Sequence, residues 1–113
     1  MDKVYLIYLE DILDAIEKIH DFLGDSLYTD FKQDEKTQFA VIRALEIVGE
    51  AAKSIPPDIR DLNSDIPWRQ ITGMRDKLIH DYFGVDIEVV WKTAKEDILP
   101  LKKSIGKLKN DLE

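Results

Sequence analysis

The sequence predicts an all-α protein, an up-down helical bundle of four long helices plus a short C-terminal helix. Three observations carry this reading. Apolar residues return every three or four positions through most of the chain. Proline and polar stretches fall between those periodic runs. No alternating strand pattern and no Asn-Gly or Asp-Gly hairpin signal stands out. A length of 113 residues suits one domain, 1–113.

The first helix is expected from Asp2 to Leu23. Tyr5, Leu9, Ile12, Ile16, Ile19 and Leu23 step by four and three, and Leu6, Leu13 and Phe22 widen the stripe towards a second neighbour. Gly24 follows as a natural stop. The second helix starts near Phe31 or Asp34 and runs to Lys53. Val41, Leu45, Val48 and Ala52 form one stripe; Phe39, Ile42, Glu46, Gly49 and Lys53 form another. Ala40, Ala44, Gly49, Ala51 and Ala52 would let another helix approach closely. Pro56 and Pro57 end the helix, since neither can continue it. A polar connection over 56–67 follows, with room for one helical turn from Asp58 to Leu62.

Pro67 marks the next start, and the third helix is expected from Trp68 to about His80. Ile71, Met74, Leu78 and Tyr82 share a face. Gly73 costs this helix about 1 kcal/mol relative to alanine, which suggests a tight neighbour. Gly84 breaks the helix and Asp86 caps the next. Ile87, Val90, Trp91, Ala94 and Ile98 carry the fourth stripe. Pro100 opens a short fifth helix with Leu101, Ile105 and Leu108 apolar. The remainder, KKSIGKLKNDLE, is charged and expected to fray.

Composition narrows the function. The chain is 44% hydrophobic and 35% charged, a globular balance. No apolar run approaches the ~20 residues of a membrane span. The N-terminus lacks a signal-peptide plan, and zero cysteines exclude disulfides and thiolate metal sites. The expected location is the cytoplasm, away from membranes. Twenty-three acids against sixteen bases, a net charge of -7, repel phosphate at long range. Contact with RNA would need a local positive patch, or a partner that supplies one.

One stretch stands apart: residues 73–84, GMRDKLIHDYFG. Arg75 offers a permanently charged planar fork suited to phosphate oxygens. His80 titrates near neutrality and can give or take a proton. Tyr82 brings a modifiable hydroxyl. These groups could cleave RNA without a metal, by assisting attack of a 2′-hydroxyl on the adjacent phosphate and stabilising the charge that develops. On a straight helix, Arg75 and His80 point about 140° apart. Either the helix loosens before Asp81, or two copies pair so that both motifs line one cleft. Residues 68–80 carry Arg69, Arg75 and Lys77 against Asp76, a modest basic patch.

From residue type alone, His80 reads as a histidine favoured at a helix C-terminus, and Arg75 and Lys77 as a solvated face. Trp68 and Trp91 read as core or interface anchors, and His20 as a polar-edge residue. Glu46 and Glu50 lie one turn apart, but no histidine follows either by three, so the di-iron pattern is missing. No metal and no cofactor is expected. Glu46 instead suggests pairing with a base across the bundle or a dimer interface.

Arg-x4-His-x-Tyr, here RDKLIHDY, resembles the signature of the HEPN superfamily. RALEIVGEAAK, IPWRQITGMRDKLIHDYFGVD and VVW resemble its HepT branch over roughly residues 4–101. The resemblance implies an all-α homodimer with paired motifs at a cleft between subunits, and a metal-independent ribonuclease toxin of a toxin–antitoxin module. Arg75 and His80 would be catalytic, with Asp76 and Lys77 in support. Many relatives carry asparagine where this chain has Asp76. The implied partner is an MntA-like nucleotidyltransferase antitoxin that transfers AMP to Tyr82. The implied substrate is RNA (tRNA or mRNA), not DNA. The competing reading is a non-catalytic helical dimer that binds nucleotide or the nucleotidyltransferase. A purely structural bundle would leave RDKLIHDY without explanation.

Overall fold

A computed structural model describes residues 3–78 and 86–113. Every regular element among them is helical: α1 Val4–Leu23, α2 Tyr28–Gln33, α3 Glu35–Ser54, α4 Pro57–Arg60, α5 Trp68–Thr72, α6 Met74–Leu78, α7 Ile87–Lys92 and α8 Lys102–Leu112. A 3₁₀ turn, Asp61–Asn63, follows α4. A π-helical turn, Thr93–Ile98, and a 3₁₀ turn, Leu99–Leu101, join α7 to α8.

The core is built on α1 and α3, which share the most extensive helix–helix contact. Each is about 30 Å long. The connection between them contains α2 and is too short to return along that length, so the two run antiparallel. Leu9, Ile12, Ile16, Ile19 and Leu23 of α1 are buried, as are Val41, Leu45, Val48 and Ala52 of α3. These are the predicted stripes. Gly24 ends α1 at φ 49°, a backbone geometry that glycine adopts without a side-chain clash.

Asp34 starts α3. Its carboxylate accepts from Thr37 N at 3.1 Å and from the Thr37 hydroxyl at 2.6 Å. Those bonds hold its pKa below the usual carboxylate range. Their support for the helix start is therefore present above that range and fades as pH falls through the lowered value. Gln38 reaches back from α3 to the carbonyls of Phe31 and Lys32, closing the end of α2. Short α2 escapes periodicity analysis, being under two turns; Phe31 anchors it, packing with Tyr28 against Trp91 at centroid distances of 5.3 and 5.8 Å.

The described residues depart from the predicted bundle of four long helices plus a short one in three places. The third helix breaks at Gly73, which ends α5. A Cβ there would meet Arg69 O of its own helix at 3.3 Å, with no side chain of a neighbouring element in reach. Among the described residues the expected tight neighbour is therefore not found. The fourth and fifth helices are one continuous helical run over 87–112, widened at Thr93–Ile98, and Pro100 sits inside the 3₁₀ turn. Finally, the C-terminus does not fray at residue 102 but is helical to Leu112. Ile105 and Leu108 are buried, and Leu112 packs on the core. Lys102 bonds Glu17 at 2.7 Å and Lys3 bonds Leu112 O at 3.2 Å, so α8 lies antiparallel along α1. Asp86 does cap α7, accepting from Glu88 N and Val89 N.

Three stability measurements check this packing. Leu45→Ala, at a fully buried site, is expected to cost about 2–5 kcal/mol in urea unfolding. Gly106 lies inside α8 with open space around it, so Gly106→Ala is expected to stabilise by about 0.5–1 kcal/mol. Thr93 is 2% exposed and its hydroxyl has no partner among the described residues. Thr93→Val is expected to be neutral or stabilising by up to about 1 kcal/mol, measured by the same method.

Candidate active site

The signature begins on α6, so the site's position follows from how α6 is held. Ile71 of α5 and Met74 and Leu78 of α6 are buried, and both short helices pack on α3. Small buried residues of α3, among them Ala44, Ala51 and Ala52, make the close approach possible. Arg75 is the second residue of α6. His80 and Tyr82 lie outside the described residues. Asp76 and Lys77 are exposed.

Lys77 Nζ lies 3.6 Å from Asp97 Oδ2, linking α6 to the π-helical turn. Both side chains are about half exposed, so the pair acts as a positional tie more than a source of stability. Beneath it runs a groove of about 510 Å³. Ile71, Met74, Ile98 and Leu101 form its apolar floor, Gly73 leaves one wall without a side chain, and Thr93 lines it. The groove falls within the size range of small-ligand sites.

Lys77 and Arg69 do not share one patch. Lys77 belongs to that groove, whereas Arg69 lines a separate cleft of about 330 Å³ with Pro57, Arg60, Asp61, Trp68 and Thr72. Trp68 is buried there, its indole N–H donating to Asn63 O at 3.0 Å, in keeping with an anchor. Nothing in the sequence singles out Arg60. It sits on a one-turn helix after two prolines, where no periodicity signals a role. Its Nε–H is buried without a hydrogen-bond partner among the described residues.

Glu46 pairs with Arg43 at 3.3 Å, one turn back on its own helix. Among the described residues of one chain, the base it meets is therefore on its own helix and not across the bundle: an arginine three residues earlier costs no interhelical approach. His20 lies beside Asp21 and Glu17 on the exposed side of α1, and Glu17 is already engaged by Lys102, which lowers its pKa. No described helix is long and apolar enough to cross a membrane.

Comparison with known proteins gives the family. The family model described as "Ribonuclease HepT-like" matches residues 12–108. The chain is 57% identical over 109 residues to "Probable ribonuclease HepT" of Thermococcus cleftensis, covering 96% of this chain and 99% of that protein. It is 48% identical over 106 residues to "Putative RNase MJ0125" of Methanocaldococcus jannaschii, covering 94% and 91%. It is 41% identical over 101 residues to "Putative RNase TTE0752" of Caldanaerobacter subterraneus, covering 89% and 90%. No solved structure matches the chain. The family match spans α1 to α8 and includes the whole signature from Arg75 to Tyr82, so this chain belongs to the HepT-like ribonuclease family.

Proposed function

We propose that this chain is a metal-independent endoribonuclease, a single HepT-like domain over 1–113, and the toxin of a prokaryotic type VII-like toxin–antitoxin module in the cytoplasm. The observation that carries the reading is a complete RDKLIHDY signature inside a family match over residues 12–108. In the proposed reaction the 2′-hydroxyl of RNA loses its proton and attacks the neighbouring phosphorus. The bond to the 5′-oxygen breaks, and that oxygen takes up a proton. The products are a 2′,3′-cyclic phosphate and a 5′-hydroxyl end. His80 serves one of the two proton transfers. Arg75 stabilises the charge that builds on the phosphate oxygens. Asp76 and Lys77 support the site.

The protein acts as a homodimer in this reading, with the two motifs lining one groove. Support comes from an apolar strip facing solvent: Phe39 is 65% exposed, and half-buried Ile42 and Ile87 lie beside it. Ile87 opens α7, five residues after Tyr82 in the sequence, which makes this strip our proposed dimer contact. An MntA-like nucleotidyltransferase neutralises the toxin by transferring AMP from ATP to the Tyr82 oxygen, releasing pyrophosphate. The added phosphate and nucleoside compete with RNA for Arg75 and His80.

A second reading is a non-catalytic dimer that binds nucleotide or the nucleotidyltransferase. The Asp76 carboxylate, next to the arginine in a chain of net charge -7, favours it.

Purified protein is expected to cut single-stranded RNA in EDTA. Arg75→Ala and His80→Ala are each expected to lower the rate by about 10²-fold or more. Cleavage that survives both substitutions removes the assigned roles; no cleavage by the wild type favours the non-catalytic reading. Incubation with partner and ATP is expected to add AMP to the intact mass, and Tyr82→Phe to prevent it. An AMP adduct on the phenylalanine variant shows that another residue is modified.

A further inference from the structure

We propose that the cleft between α4 and α5 holds a backbone phosphate of single-stranded RNA, away from the bond that is cut, through Arg60 and Arg69. The inference rests on the ribonuclease reading and adds a substrate-binding subsite to it. In a chain of net charge -7, RNA needs a place where positive charge is concentrated and not already neutralised. This cleft is such a place. Its lining holds two arginines against one aspartate, Asp61. Neither arginine forms an ion pair among the described residues, whereas Arg43 is paired with Glu46.

Two hydrogen bonds order the residues that line the cleft: Arg60 N donates to Pro56 O at 3.1 Å within α4, and the Trp68 indole N–H donates to Asn63 O at 3.0 Å. The Arg60 Nε–H is taken out of water with no partner among the described residues, an arrangement that calls for an explanation. With its side chain turned into the cleft, Arg60 would present Nε–H and one Nη–H together, the fork that fits two oxygens of a phosphodiester. Asp61 opposes an anion and offsets one guanidinium; the other is left to bind. Arg69 lies on α5, the helix immediately before α6, on which the signature begins with Arg75.

The test compares wild type, Arg60→Gln, Arg69→Gln, the double variant and Arg43→Gln as a surface control. It uses cleavage kinetics on a single-stranded oligoribonucleotide and anisotropy with the same labelled strand over a salt series. The double variant is expected to raise KM about tenfold with kcat within about twofold, and to make the slope of log K against log salt shallower by about 0.7 for each phosphate that the cleft no longer neutralises. Arg43→Gln should match the wild type. Arg69 is exposed, so its variant reads the site even if replacing Arg60 perturbs folding. Wild-type KM and slope in Arg69→Gln and the double variant overturn this subsite while leaving the ribonuclease reading intact. A wild type that neither cleaves nor binds RNA removes both. A free nucleotide is the other source of the same group. Saturable quenching of tryptophan fluorescence by AMP, abolished in the double variant while the RNA salt slope stays unchanged, would overturn the RNA assignment.

Discussion

The structure depends on the dry seam between α1 and α3. Leu9, Ile12, Ile16 and Ile19 face Val41, Leu45 and Val48 in a core that excludes water almost completely. Each such side chain contributes roughly 1.5–3 kcal/mol of burial before the entropy of ordering the chain is subtracted. Everything else leans on that pair. α8 lies along α1, held by Ile105 and Leu108 and tied at both ends by Lys102–Glu17 and Lys3–Leu112. α5 and α6 lie on the other large helix, where alanines keep its surface low. The start of the signature is held by tertiary packing: Met74 and Leu78 are buried, and α6 lies on α3.

Much of the fold was legible because long amphipathic helices write their buried face at a fixed period. The α1 and α3 stripes, the Gly24 stop, the Asp86 cap and the turn after Pro57 could all be read from residue type and spacing. What could not be read depends on contacts between segments distant in sequence. Gly73 reads in the sequence as a propensity cost accepted for a tight neighbour inside a continuing helix, whereas it ends α5. The order of the last turns near the C-terminus comes from α1, which no local pattern in KKSIGKLKNDLE reveals. The six residues of α2 are too few for periodicity, and their stability comes from Trp91, some sixty positions later.

The candidate site divides the same way. RDKLIHDY is visible in the sequence because its side chains are chemically distinctive and closely spaced. The neighbouring charges seemed to form one basic face. Folding separates them, sending Lys77 to Asp97 and Arg69 to the cleft of Arg60. Charge counting along a chain cannot anticipate this, because a break at Gly73 changes which residues share a face.

The π-helical turn at Thr93–Ile98 has an effect that reaches past its own residues. A π turn accommodates one more residue than an α turn, and each residue of a helix advances it by about 100°. The widened turn therefore sets the rotational phase with which α8 arrives at α1, bringing Ile105 and Leu108 inward and the lysines of 102, 103 and 107 outward. Shortening the segment by a single residue, with α7 held in place, would turn the last helix by more than a quarter revolution and swing a lysine row onto the hydrocarbon of α1. The spacing between Val90 and Ile105 is for that reason less free to vary in length than the exposed side chains at Lys92, Glu96, Asp97, Lys102 and Lys103 suggest.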